Sequence, residues 1–214
     1  MEEKITEHLD RLVERYPVLE GQKENIRRAY EMMADTYRGY GKLLVAGNGG
    51  SAADAEHIVG ELMKGFVKRR RLNEQMLSKL EQADSQNGRA IGQSLQGALP
   101  AIAVVGHVAL STAYLNDVDP LLAIAQQVYG YGEEGDTFLA ISTSGNSKNI
   151  LHACTVARAK GMKIIGLTGR DGGALKDMAD VAVIVPAQET FQIQELHLPV
   201  YHALCLMLEE RFFG

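Results

Sequence analysis

Four hydroxyl side chains and a Gly-Asn pair fall within residues 142–147, in the order Ser-Thr-Ser-Gly-Asn-Ser. This hydroxyl-rich loop follows an apolar run at 137–141 and precedes a helical pattern at 149–160. Backbone N–H groups and the helix dipole at such a turn favour an oxyanion, and Ser and Thr hydroxyls add donors. The loop therefore predicts a phosphate site. The alternative is an ordinary turn in which Ser147 only caps the helix.

A second loop of this kind, the glycine loop, occupies residues 47–51 with the sequence Gly-Asn-Gly-Gly-Ser. Glycine lets the backbone approach a ligand closely because it carries no Cβ. The loop is neither a P-loop nor a dinucleotide fingerprint, so a tight strand-to-helix turn explains it equally well. In open parallel sheets, ligands lie beyond the carboxyl ends of the strands. We therefore expect the two loops to face one crevice.

Polar groups on two helical segments could supply acid–base or metal chemistry. His57 and Glu61 are four residues apart and share a helix face, which suits a divalent metal or an acid–base pair. The alternative is an amphipathic helix whose exposed side carries both. Near the C-terminus, Gln194, His197 and His202 interrupt an apolar helical pattern. Because the two histidines are five residues apart, only one of them can point into a given site.

The composition is that of an ordinary globular protein. Of 214 residues, 46% are hydrophobic and 23% charged, and the formal net charge of −5 does not indicate a nucleic-acid-binding surface. The basic run at 68–71 is interpreted as a solvated face. Cys154 and Cys205 lie in apolar helical patterns, as reduced core thiols do. Without an apolar leader or membrane span, the chain is expected to be soluble and cytoplasmic, with no nucleic-acid or membrane partner.

The elements that must position these groups alternate along the chain. Helical periodicity covers residues 3–38, a helix is expected at 51–66, and a long one at 189–213 that Pro199 must bend or interrupt. Short, nearly continuous apolar strands are predicted between the helices, at 42–46, 101–105, 137–141, 163–167 and 181–185. This pattern predicts an α/β fold with a doubly wound, mainly parallel five-stranded sheet covered by helices on both faces.

Residues 68–97 differ from their surroundings because they are rich in Arg, Gln, Asn, Ser and Glu. A short helix is expected at 72–83, followed by a polar stretch that contains glycine. We interpret this segment as an insertion before the second strand and not as a separate domain. Residues 1–214 are therefore expected to form one domain.

The motifs together resemble the sugar isomerase (SIS) domain family, and within it the phosphoheptose isomerases. The resemblance implies a three-layer αβα sandwich and covers the chain from about residue 40 onward, apart from the insertion. The matching pieces are residues 47–51, Asp54, His57, Glu61, Asn116, Asp117, 142–147, 167–173, 193–197 and His202.

The resemblance also implies roles for individual residues. The phosphate would be held by Ser142, Thr143, Ser144 and Ser147. The sugar would be contacted by Asn48, Gly49, Gly50, Ser51, Asn116, Asp117 and Gln194. One zinc ion per site would be bound by His57, Glu61, Gln194 and His202. Members of this family form homotetramers with active sites between subunits, which is therefore the expected assembly.

The reaction that the resemblance implies is the interconversion of sedoheptulose 7-phosphate and D-glycero-D-manno-heptose 7-phosphate. An enediol route moves a proton between C1 and C2, which requires a base and an acid. We assign Glu61 as the base and His202 as the acid. A metal could polarise the carbonyl and stabilise the enediolate.

One distance conflicts with a simple metal site. Gln194 and His202 are eight residues apart, or ~12 Å along an unbroken helix. The helix must therefore start after Gln194, break at Pro199, or share the site with another subunit.

Two other functions stay open at this point. Non-catalytic SIS proteins, such as replication-initiator-binding homologues or sugar-phosphate sensors, keep the phosphate loop but can lose the acid and base. The second alternative is an isomerase or deaminase acting on another sugar phosphate.

Overall fold

A five-stranded parallel sheet forms the centre of the computed structural model, which describes residues 2–214. The spatial order is β2-β1-β3-β4-β5, and every neighbouring pair is parallel. The predicted fold class is confirmed, and each predicted strand is present with its ends shifted by at most two residues. The strands are β1 (Leu43–Ala46), β2 (Ala101–Ala103), β3 (Thr137–Ser142), β4 (Lys163–Thr168) and β5 (Val181–Ile184).

Helices connect the strands and cover both faces of the sheet. Short 3-10 turns at Pro17–Gln22 and Pro120–Leu122 separate some of them. No helix in residues 2–214 combines the length and the apolar character needed to cross a membrane. The helices are α1 (Glu2–Arg15), α2 (Lys23–Arg38), α3 (Gly50–Met63), α4 (Glu74–Ala83), α5 (Gly88–Ser94), α6 (Val108–Asp117), α7 (Ala123–Tyr131), α8 (Lys148–Ala159), α9 (Gly173–Met178) and α10 (Thr190–Phe213).

Alternate side chains of the strands divide the core into two layers, one on each side of the sheet. On one side, Val45 and Leu139 pack with α1, α2, α3 and α10. On the other side, Leu44 and Phe138 pack with α7, α8 and α9. Strands β1 and β3 are buried along their whole length, which explains their continuous apolar sequence. The site helices α3 and α10 therefore share one layer.

The insertion is a helical hairpin and not one helix followed by a loop. The predicted helix is α4, but the glycine-containing stretch after it forms a second helix, α5. Because glycine disfavours helices, this stretch carries no local signal for α5. The structure shows why glycine is needed at two of these positions. A Cβ at Gly88 would lie 2.0 Å from the Leu80 carbonyl oxygen, and one at Gly92 would lie 2.5 Å from Leu77 Cδ2. Small residues let the two helices pack closely.

Pro199 does not interrupt the last helix, which is one of the two effects expected of it. Helix α10 runs without a break from Thr190 to Phe213, with Pro199 inside it. A proline removes one helical hydrogen bond, here the one to the carbonyl of Glu195. Glu195 is an exposed residue, so water can reach that part of the helix. Two of the three explanations for the distance between Gln194 and His202 are thereby excluded.

Candidate active site

The two loops meet where the order of the strands reverses. The chain runs from β1 outward to β2 and then returns to β3 on the other side of β1. Such a switch point leaves a crevice beyond the strand ends, in which doubly wound proteins bind their ligands. The side-chain amides of Asn48 and Asn149 bridge it, with reciprocal N···O distances of 3.0 and 2.8 Å. The prediction that both loops face one crevice is confirmed.

The hydroxyl-rich loop folds tightly back on itself. The Ser142 hydroxyl donates to the Ser147 hydroxyl at 3.0 Å, and the backbone N–H of Gly145 donates to the Ser142 carbonyl. Ser147 occupies the position before α8, but its side chain makes no capping hydrogen bond. Its hydroxyl faces Ser142 instead, and Thr143 and Ser144 are only half-buried. The capping interpretation therefore does not account for this group of hydroxyls.

The turn after β4 supports the hydroxyl-rich loop from below. The N–H of Gly169 donates to the Thr143 carbonyl, and the N–H of Leu175 donates to the Gly145 carbonyl. Gly145 has a φ of +66°, and a Cβ there would lie 1.9 Å from the Gly172 carbonyl oxygen. Backbone contacts between this turn and the hydroxyl-rich loop therefore fix the loop. In the sequence this glycine-rich turn is visible as part of a motif, but its supporting role is not.

The glycine loop is shaped by its neighbours in the same way. A Cβ on Gly50 would lie 2.5 Å from the side-chain nitrogen of Gln194, so Gln194 contacts the start of α3. Ser51 is buried beneath Gly47, whereas Asn48 and Gly49 are exposed. A cavity of about 250 Å³ lies beside this loop and also contacts α6 at Ser111.

A second group of site residues, the histidine–carboxylate cluster, consists of His57, Glu61 and His202. His57 Nε2 lies 3.2 Å from Glu61 Oε1 and 3.5 Å from His202 Nε2. The Glu61 side chain is 14% exposed and that of His57 is 42% exposed, so the cluster borders solvent. Lys64 also approaches Glu61, at 3.2 Å. The structure brings these three predicted residues together from α3 and α10.

The two histidines of α10 lie on different sides, as predicted. His197 is completely buried and contacts the Thr168 carbonyl at 3.2 Å, and burial lowers its pKa to about 4. It is therefore a neutral core residue outside the cluster. Burial also lowers the pKa of His202, and neighbouring His57 adds to this shift while Glu61 opposes it. A neutral imidazole at position 202 can accept or donate a proton near neutral pH.

The remaining predicted residues do not join the cluster. Gln194 lies at Gly50, near the beginning of α3, while His202 lies beside His57 two turns further along. Asn116 and Asp117 end α6, where they bond to each other at 2.6 Å and are exposed. Among residues 2–214, no hydrogen bond joins their side chains to the two loops. One chain therefore presents the predicted site in separate parts.

A larger cavity, of about 480 Å³, lies on the other side of His202, between α1 and α10. Its size falls in the range of small-molecule sites. Basic side chains from α1 line it, together with Pro199 and His202 from α10. It shares no lining residue with the cavity beside the glycine loop.

A buried ion pair fixes the end of α3 that carries Glu61. Arg70 Nε and Glu209 Oε1 lie 2.8 Å apart, with both side chains fully buried. Arg70 also donates to the carbonyls of Glu61 and Leu62, at 3.0 and 2.6 Å. Burial alone would raise the pKa of Glu209, but the backbone N–H groups around Val67 and the Arg70 guanidinium outweigh it and lower the pKa. Sequence reasoning missed this pair because it treated residues 68–71 as solvated.

The cluster offers the donor types of a zinc site, namely imidazole nitrogen and carboxylate oxygen. Within residues 2–214, however, no group of three or more His, Cys, Asp or Glu side chains is arranged to hold a metal ion. The short contacts of His57 are pairwise, to Glu61 and to His202. The expected fourth ligand, Gln194, lies elsewhere. The donor chemistry fits zinc, and the site stays a prediction.

The order of the strands and the two loops at the switch point define a doubly wound α/β protein with a ligand crevice. The sequence matches the SIS domain over residues 6–96 and 87–169. It is 40% identical to the phosphoheptose isomerase of a Nitratiruptor species over 171 residues, which is 80% of this chain and 78% of the relative.

Solved structures agree with this relationship. The phosphoheptose isomerase GmhA from Neisseria gonorrhoeae is 31% identical with a TM-score of 0.73, and 98% of each chain is covered. A phosphoheptose isomerase from Francisella tularensis is also 31% identical, with a TM-score of 0.75 over 97% of each chain. The chain belongs to the SIS domain family and, within it, to the phosphoheptose isomerases.

Proposed function

We propose that this chain interconverts sedoheptulose 7-phosphate and D-glycero-D-manno-heptose 7-phosphate through an enediol. The observation that carries the proposal is the meeting of Glu61 and His202 through His57, in a chain that keeps the hydroxyl-rich loop. A non-catalytic phosphosugar-binding protein needs the loop alone. The relatives named as phosphoheptose isomerases support the same substrate.

In the proposed reaction, the hydroxyl-rich loop holds the phosphate through its hydroxyls and the backbone N–H groups that begin α8. Glu61 removes the proton from C1, the carbon next to the carbonyl, and returns it to C2 of the enediol. His202 gives a proton to the carbonyl oxygen and takes one from the adjacent hydroxyl. The glycine loop, with Asn48, contacts the sugar hydroxyls between these two ends.

We include in the proposal a zinc ion bound by His57, Glu61 and His202, with Gln194 as a further ligand. Zinc at this position would supply Lewis-acid polarisation of the substrate oxygens. Metal analysis of the purified protein, with a His57→Ala and a His202→Ala variant, tests this part. Zinc retained equally in both variants would contradict it.

A site shared between copies of the chain accounts for the separate parts. Helix α10 is continuous, so one chain does not bring Gln194 and His202 to one ion. Helix α6 buries none of its residues and exposes Val108 and Leu115 by 73% and 66%. Apolar side chains exposed in this way are typical of subunit contacts. These features support the homotetramer, which the mass of the protein in solution tests.

The decisive experiment is incubation of the purified protein with sedoheptulose 7-phosphate, with the product followed by NMR. We expect the heptose signals to appear until equilibrium is reached. No turnover, with and without added zinc, would overturn the proposed function. Turnover of other ketose phosphates at a higher kcat/KM would correct the substrate but keep the reaction class.

A further inference from the structure

Tyr201 lies behind the histidine–carboxylate cluster and connects it to a carboxylate. Its side chain is 1% exposed. Its hydroxyl lies 3.0 Å from His57 Nδ1 and 3.2 Å from Asp54 Oδ1. The chain Asp54–Tyr201–His57 therefore ends at the ring whose other nitrogen faces Glu61 and His202.

The direction of these hydrogen bonds follows from the number of protons available. A tyrosine hydroxyl has one hydrogen to donate, and it has two possible acceptors here. An ionised carboxylate is the stronger acceptor, because a hydrogen bond to a charged group is roughly twice as strong as a neutral one. Tyr201 then donates to Asp54 and accepts from His57. His57 must carry its proton on Nδ1.

The surroundings of Asp54 and Tyr201 support this direction. Burial raises the pKa of the Tyr201 hydroxyl, and the nearby Asp54 raises it further, so the hydroxyl keeps its proton. The second carboxylate oxygen of Asp54, Oδ2, is buried without a partner among residues 2–214. Burial raises the pKa of Asp54, while the hydrogen bond from Tyr201 and the neighbouring His57 oppose that rise, so the Tyr201 bond favours the ionised carboxylate.

The ring contacts add a steric restraint. The Tyr201 ring meets the His57 ring edge-on, with centroids 5.4 Å apart, and the His202 ring at 5.0 Å. One aromatic side chain thus contacts both histidines of the cluster. A ring fixed by packing and by one hydrogen bond has a defined orientation as well as a defined tautomer.

We propose that Tyr201 and Asp54 are positioning residues that keep His57 protonated on Nδ1 and aim its Nε2 at Glu61 and His202. His57 Nε2, Glu61 Oε1 and His202 Nε2 then lie close together, where a proton or a cation is favoured. The proposed isomerase needs such a point. The inference rests on the proposed function for its effect on turnover, but not for the tautomer itself.

The first experiment measures the tautomer directly. Histidine-labelled protein is examined by ¹H–¹⁵N NMR at about pH 8.5, above the ordinary histidine pKa of ~6.5. We expect His57 to be protonated on Nδ1 in the wild type and to lose this preference in Tyr201→Phe, which keeps the ring and removes the hydroxyl. A wild-type His57 protonated on Nε2 would overturn the proposal.

The second experiment measures turnover in the same variants. We expect kcat of Tyr201→Phe to fall about 10–100-fold with KM unchanged, as for other partners of site histidines. Tyr37→Phe is the matched control, since the Tyr37 hydroxyl is buried without a partner in residues 2–214 and lies outside the site. It should change neither the His57 signals nor kcat.

The two proposals fail in different ways. An Nδ1-protonated His57 in a protein that does not turn over sedoheptulose 7-phosphate would overturn the proposed function alone. Normal turnover by Tyr201→Phe would overturn the positioning role and leave the isomerase intact.

Discussion

The hydroxyl-rich loop and the histidine–carboxylate cluster are built in opposite ways. The loop is fixed by backbone contacts between the ends of adjacent strands, such as Gly145 against Gly172. The cluster is fixed by side chains of α3 and α10, with His57 and His202 145 residues apart in sequence. The sheet therefore determines where a phosphate would be held, whereas helix packing determines where a proton would be moved. Binding and chemistry should respond to different substitutions.

The largest expected effect is that Glu61→Gln loses turnover but still binds the substrate. The amide keeps the shape of the side chain but cannot act as a base. We expect turnover of sedoheptulose 7-phosphate to fall about 10²–10⁴-fold, the usual contribution of a general base. Binding of the substrate, measured by calorimetry, should change little. The control is Glu56→Gln, on the exposed face of the same helix. Activity retained in Glu61→Gln would show that the base is misassigned.

The next largest effect concerns the buried Arg70–Glu209 ion pair, which fixes the end of α3 that carries Glu61. Glu209→Gln leaves the buried Arg70 without its charged partner, and we expect the free energy of unfolding to fall by about 3–5 kcal/mol. Urea unfolding measures it. Glu81→Gln is the control, because the Glu81–Arg89 pair is exposed, with side chains 37% and 62% accessible, and should contribute less than about 1 kcal/mol. Equal losses in both variants would contradict the special role of the buried pair.

The same pair predicts a pH dependence. The pKa of folded Glu209 lies below its ordinary value of 4.5, so its stabilisation is present above that pH. The stabilisation is lost as the pH falls through the lowered value. We expect the wild type to lose stability below about pH 4.5 and Glu209→Gln to weaken this loss. If Glu209→Gln and the wild type lose stability equally below about pH 4.5, this assignment is contradicted.

This contrast explains how much of the molecule the sequence could predict. The strands were found because they are buried on both faces and read as continuous apolar runs. His57 and Glu61 were paired because a spacing of four residues is a local property of a helix. The expectation that the two loops face one crevice follows from the topology of a parallel sheet. All of these inferences need only local patterns and a fold class.

Other features depend on contacts that no local pattern records. Tyr201 reaches Asp54 and His57 only because α3 and α10 pack side by side. Arg70 belongs to a basic run that resembles a surface, yet it is buried against Glu209. The proline pattern predicts a bend or an interruption at Pro199, yet α10 continues through this buried residue. In each case the deciding interaction joins segments far apart in sequence.

A smaller effect is expected on the binding side, from Gly145→Ala. The positive φ is strained for alanine, and its Cβ would lie 1.9 Å from the Gly172 carbonyl oxygen, so the loop must move. We expect a loss of about 1–3 kcal/mol in stability, together with a higher KM. Gly135→Ala is the control, because Gly135 also has a positive φ but nothing within 4 Å of its Cβ. A KM unchanged in Gly145→Ala would separate this loop from the substrate.

The smallest effect should come from the bridge between the glycine loop and the first turn of α8, which follows the hydroxyl-rich loop. Asn48→Ala and Asn149→Ala each remove both hydrogen bonds of the reciprocal amide pair. The double variant therefore loses no further interaction between these two side chains. KM values for the four proteins form a double-mutant cycle, with an expected coupling of about 0.5–1.5 kcal/mol. Because the bridge lies away from Glu61 and His202, kcat should stay constant through the cycle. A coupling that appears in kcat and not in KM would mean that the loops act on the chemistry directly, and that the division between binding and chemistry is wrong.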